Sequence, residues 1–275
     1  MEHPEIWFVN LDIQINELSR VAFSVFGMEI FWYGVIIMLA TTAGYLAAVR
    51  EAVRTGQKKE DYSDYLLWAA PASVIGARLY YIMFTPNQSL ATFLNFRGGG
   101  LAIYGVVIGS VITAIIFCKK RGINFFTFAD TAIFGLIIGQ VIGRWANFIN
   151  AEAFGGFTDN LFALRYRADR VAYAPDYLLV VANGVEYIQV HPTFLYESMW
   201  NLALFIGLHI YKKHKAFTGE LFLIYLVWYG IGRAFIETLR TDSLMLGSFR
   251  ASVLMSIAVA AIGICGIAYK RIKKD

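Results

Sequence analysis

Seven long apolar stretches set the pattern of this chain, at about 21–49, 65–85, 100–118, 124–149, 191–211, 217–239 and 251–269. Each approaches or exceeds the ~20 residues that a helix needs to cross the hydrocarbon core of a bilayer. None alternates with the period of two that a barrel strand requires, so the pattern predicts membrane helices, which satisfy their backbone hydrogen bonds internally. The largest interruption runs from about 156 to 190. Within it, Leu178–Val190 reads as a β-hairpin turning at Asn183-Gly184, a pair suited to two successive positive-φ positions. Arg165, Arg167 and Arg170 precede that hairpin. The first twenty residues mix apolar and acidic positions and suggest an interfacial arm. No internal repeat or low-complexity linker is visible. The expectation is an all-α polytopic membrane protein of seven transmembrane helices, one domain over residues 1–275, with a small β-hairpin-containing head at 156–190 inserted between spans four and five.

Composition agrees with the pattern. The chain has 275 residues, 58% hydrophobic and 16% charged, against about 25% charged in soluble domains. A net charge of +4 is too modest to point to nucleic acid. Its distribution is more informative. Every lysine lies in one of four clusters: Lys58-Lys59 with Arg50 and Arg54, Lys119-Lys120-Arg121, Lys212-Lys213 with Lys215, and Lys270-Arg271 with Lys273-Lys274. These follow spans one, three, five and seven, so they share one side of the membrane. The positive-inside rule makes that side cytoplasmic, with the N-terminus outside and the C-terminus inside. An odd number of spans requires the same arrangement. The head then faces away from the cytoplasm. The N-terminus begins with Glu2 and Glu5 rather than a basic region, so the first apolar segment is expected to be retained. Cys118 and Cys265, and the four histidines, form no metal-ligand spacing, and neither a metal nor an organic cofactor is expected.

Against this apolar background, ionisable residues within the spans stand out, because an arginine at membrane depth costs roughly 2.5–3.5 kcal/mol on insertion scales. Gln140, Arg144 and Asn147 are spaced four and three and share a helical face. Arg144 falls about 30 Å along its helix from the cytoplasmic entry near Asn124, at 1.5 Å per residue, hence near the outer edge of the bilayer. Gly135, Gly139 and Gly143 form an adjacent row, best read as close helix packing. In span six, Tyr229, Arg233, Glu237 and Arg240 lie on one face, and Arg233 and Glu237 are placed to pair. An internal staple is one reading of this face. Two arginines with a single acid leave positive charge uncompensated, which favours ligand binding. By spacing alone Tyr33 reads as aromatic packing, and Arg78 as either a site residue or a snorkelling interface residue. Gly98-Gly99-Gly100 marks a close backbone approach or a turn, and Glu197, opening span five, is expensive unless paired. The polar groups gather in the outer half of the bilayer, with Asp130 and His209 the main exceptions. A transport path would need them through both leaflets. Arginines suit a phosphate, which they grip bidentately, and a phospholipid headgroup is the abundant phosphate at that level.

The residues of this region resemble a known family. Gly143-Arg144-x-Ala146-Asn147-Phe148-Ile149-Asn150-x-Glu152-x-x-Gly155 is similar to the signature of the prolipoprotein diacylglyceryl transferases. Trp32-Tyr33-Gly34, Gly76-Ala77-Arg78-Leu79-Tyr80-Tyr81, Gly99-Gly100-Leu101-Ala102-Ile103, His191-Pro192-x-x-Leu195-Tyr196-Glu197 and Tyr229-Gly230-x-x-Arg233-x-x-x-Glu237-x-x-Arg240 resemble further blocks in the family's order, over spans one to six. The resemblance implies a multi-pass enzyme of the bacterial plasma membrane with its site toward the outer leaflet. It would move the diacylglyceryl group of phosphatidylglycerol to the lipobox cysteine of a prolipoprotein signal peptide and release glycerol phosphate. By the same resemblance, Arg144 would bind the lipid phosphate, with Asn147, Asn150, Glu152 and Gly155 shaping the site. Tyr33 and Tyr229 would line it, and Arg233 would act close to the reaction, supported by Glu237 and Arg240.

One position departs from the family. Many members have a histidine, followed by glycine, where this chain has Tyr104-Gly105. A tyrosine, with an ordinary pKa of about 10, is a poor base at neutral pH. The expectation is therefore electrostatic catalysis, in which Arg144 and Arg233 stabilise the departing phosphate ester and Tyr104 orients a substrate by hydrogen bonding. The competing readings are a lipid transporter or flippase with an outer-leaflet phosphate site, and a structural subunit whose arginines only staple helices.

Overall fold

The computed structural model describes residues 3–85, 93, 100–241, 245–246 and 249–273. Seven long helices dominate: α1 (Trp32–Arg54), α2 (Lys59–Phe84), α3 (Ile103–Arg121), α4 (Phe125–Asn150), α5 (Thr193–Tyr211), α6 (Glu220–Leu239) and α7 (Ala251–Ile272). Among the described residues, six of them are long and apolar enough to cross a membrane; α5 is the exception. Its polar residues explain why. Glu197, Ser198 and Asn201 interrupt its apolar run, and all three are buried against protein. The other helices expose broad apolar faces, such as Leu67, Trp68 and Met83 on α2 and Ile108, Ile112 and Ile116 on α3. Lipid-facing surfaces have this character, whereas a water-soluble surface rarely does.

The helices cluster into two compact units, residues 45–132, and residues 1–44 with 133–275. In the unit of residues 45–132, α2 and α3 approach so closely that a Cβ at Gly105 would lie 2.1 Å from the Gly76 carbonyl oxygen, and one at Gly109 2.6 Å from that of Ala72. Small residues at such crossings replace the hydrophobic driving force that lipid removes. Arg78 is buried here. Its guanidinium donates to the carbonyls of Phe93 and Gly100, both at 3.1 Å, and lies over the Tyr81 ring. It is a packed residue and does not snorkel. Gly100 adopts φ +83°, while Gly98 and Gly99 lie outside the described residues.

In the other unit, the predicted glycine row of α4 packs against α1. A Cβ at Gly44 would meet the Gly135 carbonyl oxygen at 2.6 Å, and those at Gly139 and Gly143 would touch Ala40 and Ile37 at ordinary van der Waals distance. Helices α6 and α7 use the same device at Gly230 and Gly263. Trp200 of α5 and Trp228 of α6 stack at 4.6 Å, and each indole N–H donates to the other residue's carbonyl, at 3.0 and 3.1 Å.

A five-stranded antiparallel sheet caps this unit, in the order β2 (Ile13–Ile15), β1 (Ile6–Phe8), β5 (Leu164–Arg167), β7 (Val185–Val190) and β6 (Leu179–Ala182). The hairpin at Asn183-Gly184 forms as expected, with φ +53° and +81°. The first residues do not form an interfacial arm: β1 and β2 extend the sheet, with Ile6 opposite Tyr166. Ile6, Leu164, Tyr166, Ile188 and Val190 bury one face against Phe148 and Ala151 at the end of α4 and Phe194 at the start of α5. The sheet thereby clamps the end of the helix that carries Arg144. The first apolar run is also corrected. Residues 21–31 form a second hairpin, β3 (Val21–Val25) and β4 (Met28–Phe31), and helix begins only at Trp32. Gly27, at φ +77°, supplies the turn, and Glu29 is unsuited to the lipid interior.

Candidate active site

The site is built around the way α4 stops. The Ala151 N–H bonds the Phe148 carbonyl at 3.2 Å, and the Glu152 N–H bonds that of Asn147 at 3.1 Å. This nested pair is the Schellman arrangement, which needs a left-handed residue just past the helix. Ala151 fills that position at φ +53° and Ala153 repeats it at φ +57°, where glycine is usual; left-handed backbone costs an L-residue roughly 1–2 kcal/mol. The turn folds Glu152 back over the last helical turn. Asn147 Nδ2 donates to Glu152 Oε1 at 2.9 Å, and Arg144 Nη1 reaches Asn147 Oδ1 at 3.5 Å.

From Arg144 a ladder of opposite charges crosses three helices. Arg144 Nη2 meets Glu197 Oε2 at 2.5 Å, and the other oxygen of Glu197 takes Arg233 Nη1, also at 2.5 Å. Arg233 Nη2 then contacts Glu237 Oε2 at 2.6 Å, with Arg240 Nε at 4.0 Å from the same oxygen. The predicted Arg233–Glu237 pair is present. Glu197 is the residue that spacing did not place in the site. It lies on α5, only 4% exposed, and binds one arginine with each oxygen. Its signal in sequence was the one already noted, an acid that has to be paired at that depth. The charge of the α6 face is thus partly compensated: within the ladder, guanidiniums of Arg144, Arg233 and Arg240 meet the carboxylates of Glu197 and Glu237.

Gly155 ties the parts together through its backbone. Its N–H donates to the His191 carbonyl at 3.0 Å, it forms a bridge with Arg240, and Gly156 N–H donates to the Leu239 carbonyl at 2.9 Å. A Cβ at Gly155 would sit 2.7 Å from His191 Cβ and 2.8 Å from the Leu239 oxygen. Gly155→Ala is therefore expected to push the start of α5 away from the end of α6 and to destabilise the protein by about 1–3 kcal/mol, as overpacking does. A thermal melt in detergent would measure it, and an unchanged midpoint would refute the account.

Burial lowers the pKa of His191 from 6.5, so it is neutral at pH 7. Tyr196 accepts a hydrogen bond from Asn160 at 2.9 Å and lies 3.2 Å from His191 Nδ1. This geometry suits a Tyr196 hydroxyl donating to an unprotonated Nδ1. As pH falls below 6.5 the unfolded chain takes up this proton before the folded one, so this contribution is present above 6.5 and is lost as pH falls through the lowered folded value. A melting temperature that falls from pH 7 to pH 5, and falls less in His191→Asn, is the expected result.

The remaining predicted residues divide. Tyr229 stacks on Tyr225 at 5.5 Å and, with Glu197, Asn201 and Arg233, lines a cavity of about 10 Å³, room for about one water. Tyr33, at the start of α1, is 41% exposed and feels the charges of Glu152 and Arg144. Asn150 contributes its carbonyl, which accepts from Arg20 at 3.2 Å. Tyr104 belongs to the other unit, where it tilts against Tyr80 on α2 with ring centroids 5.8 Å apart. Among the described residues no group of three or more histidine, cysteine, aspartate or glutamate side chains is placed to hold a metal ion.

Comparison with known proteins identifies the family. Residues 20–269 match the family model of prolipoprotein diacylglyceryl transferase. The chain is similar to the phosphatidylglycerol–prolipoprotein diacylglyceryl transferases of three bacteria. It is 41% identical to that of Clostridioides difficile (strain 630) over 90% of this chain and 92% of the relative. For Bacillus mycoides (strain KBAB4) the figures are 42%, 94% and 94%; for Finegoldia magna (strain ATCC 29328) they are 40%, 94% and 99%. A family match over residues 20–269, with relatives 40–42% identical over nine-tenths or more of the chain, places the protein: it belongs to the prolipoprotein diacylglyceryl transferase family.

Proposed function

We propose that this protein transfers the diacylglyceryl group of phosphatidylglycerol to the thiol of a prolipoprotein's lipobox cysteine, the first step of lipoprotein maturation. The observation that carries the reading is the buried ladder from Arg144 through Glu197, Arg233 and Glu237 to Arg240. It brings the guanidiniums of Arg144 and Arg233 together from two helices, and guanidinium forks suit the oxygens of a phosphodiester. All seven helices span the plasma membrane, α5 with its polar Glu197, Ser198 and Asn201 buried and Met199, Leu202, Ile206 and Ile210 exposed, with the N-terminus outside, the C-terminus inside and the head at 156–190 extracytoplasmic. The lysine clusters support that orientation.

In the reaction the cysteine thiol gives its proton to water, and the sulfur attacks the diacylglyceryl carbon bonded to the phosphate oxygen. The C–S bond forms, the C–O bond breaks, and the electron pair leaves on glycerol phosphate. A thiol of pKa about 8.5 is a few per cent thiolate near neutrality, and adjacent guanidiniums raise that fraction. Negative charge grows on the phosphate as the bond breaks. Arg144 and Arg233 stabilise that charge, and fixed donors aimed at developing charge are worth most in a water-poor site. Glu237 and Arg240 hold Arg233 in place, Asn147 and Glu152 orient Arg144, and Tyr33 and Tyr229 line the lipid path. Tyr104 orients a substrate and moves no proton: Tyr104→Phe is expected to retain turnover with a raised KM, and abolished turnover with intact lipid binding would give it a chemical role. Purified protein, phosphatidylglycerol and a lipobox peptide provide the direct test. Absence of a one-diacylglyceryl mass gain on the cysteine, where a working relative produces it, would end this reading.

A further inference from the structure

The head carries a second basic cleft, of about 340 Å³, lined by Arg20, Arg167 and Arg170 with Glu5 and Asp169. Its size is at the low end for small-molecule sites. Much of its charge is internally matched. Glu5 takes Arg170 Nη1 at 2.5 Å and lies 3.6 Å from Arg167 Nη2, and Asp169 takes Arg167 Nε at 2.7 Å. Arg20 is not matched. It is exposed, and its bonds among the described residues go from one nitrogen to the carbonyls of Arg170 and Asn150. One positive charge is therefore left over. Arg170 adds a second sign of an incomplete site. Its side chain is 7% exposed, yet its Nε is buried with no hydrogen-bond partner.

The arginines also cap α4, since Arg170 Nη2 donates to the Ile149 carbonyl at 2.8 Å and Arg20 to that of Asn150. Capping uses two nitrogens and explains neither the cleft nor the excess charge. What lies next to Arg20 indicates the ligand. The hairpin β3–β4 starts at the following residue and exposes Phe23, Phe26 and Met28, with Phe26 98% exposed at its tip. Exposed apolar side chains beside a basic group belong at the headgroup–acyl boundary of a bilayer. We propose that this cleft binds a phosphate ester, either a phospholipid headgroup or free glycerol phosphate, with Arg20 presenting its guanidinium to it beside the carboxylate-held Arg167.

Binding is read without a peptide acceptor, so the outcome does not depend on whether transfer occurs. Full-length protein in a maltoside detergent is titrated calorimetrically with glycerol 1-phosphate and, separately, with dihexanoyl phosphatidylglycerol. The double variant Arg20→Gln, Arg167→Gln is expected to bind one equivalent fewer than wild type of at least one of the two. Loss with the lipid alone identifies a headgroup site, and loss with glycerol phosphate alone a free-ester site. Equal stoichiometry in variant and wild type for both ligands overturns the proposal. So does an acidic peptide that binds in an Arg20-dependent way where neither phosphate does. If the glutamine pair fails to fold, Arg20→Lys, Arg167→Lys keeps the charge but removes the fork. Weakened phosphate binding is then expected, and unchanged affinity overturns the proposal.

Discussion

Replacing Glu197 with alanine is expected to destabilise the protein by about 3–5 kcal/mol, the range for breaking a buried ion pair from one side. The side chain is 4% exposed, and each of its oxygens holds a different arginine at 2.5 Å. Its removal leaves Arg144 without a carboxylate partner and Arg233 with Glu237 alone. The two guanidiniums then repel across a gap, and α5 loses its tie to α4 and α6. Glu197→Gln separates charge from shape. It keeps the volume and a carbonyl acceptor, so it is expected to fold better than the alanine variant while holding the arginines less firmly. Melting temperature and yield in detergent would check both. A Glu197→Ala protein as stable as wild type would mean that the ladder contributes nothing to the fold.

Arg144→Ala is expected to lower turnover by about 10²–10³-fold, the usual effect of removing one donor from a transition-state charge site, with the fold retained. The reasoning rests on the asymmetry of the ladder. Arg144 is an end member, and without it Glu197 still holds Arg233. Arg233 is shared by two buried carboxylates, so Arg233→Ala would strand both and confuse folding with chemistry. Arg144→Lys refines the test. A lysine restores charge but not the planar fork, so recovery should be partial. Phosphatidylglycerol binding and transfer, measured on protein with an unshifted melt, decide the matter. Wild-type turnover in Arg144→Ala would remove Arg144 from the chemistry, and loss of folding would make it a staple.

Several parts of the architecture were readable in the chain because they depend on local rules. Hydropathy marks the helices, since lipid admits long apolar segments and little else. Asn183-Gly184 marks a turn because few other pairs accept two positive φ angles. The row Gly135, Gly139, Gly143 reads as a packing surface because its spacing keeps it on one helical face, and it does meet α1. The errors also have local causes. A run of apolar residues from 21 onward looks the same whether it forms a hairpin or a helix, and only Gly27 and Glu29 hint that helix starts at Trp32. Strand β1 was missed because its partner β5 lies more than 150 residues away along the chain, and β2 joins the sheet only through β1.

The candidate site divides along the same line. The sequence alone determined which residues are too polar for their surroundings, among them Arg144, Arg233, Glu237 and Arg240, and that those on one helix share a face. It also determined that Glu197 must have a partner, because an unpaired carboxylate at that depth is prohibitive. Which partner it has was decided only by the tertiary structure. Pairing between α4, α5 and α6 depends on how the Ser198–Val141 and Gln140–Tyr225 hydrogen bonds and the Trp200–Trp228 stack set the helices against one another. A carboxylate can bridge two arginines only when their helices present them to its two oxygens at once, and no spacing along a single helix encodes that.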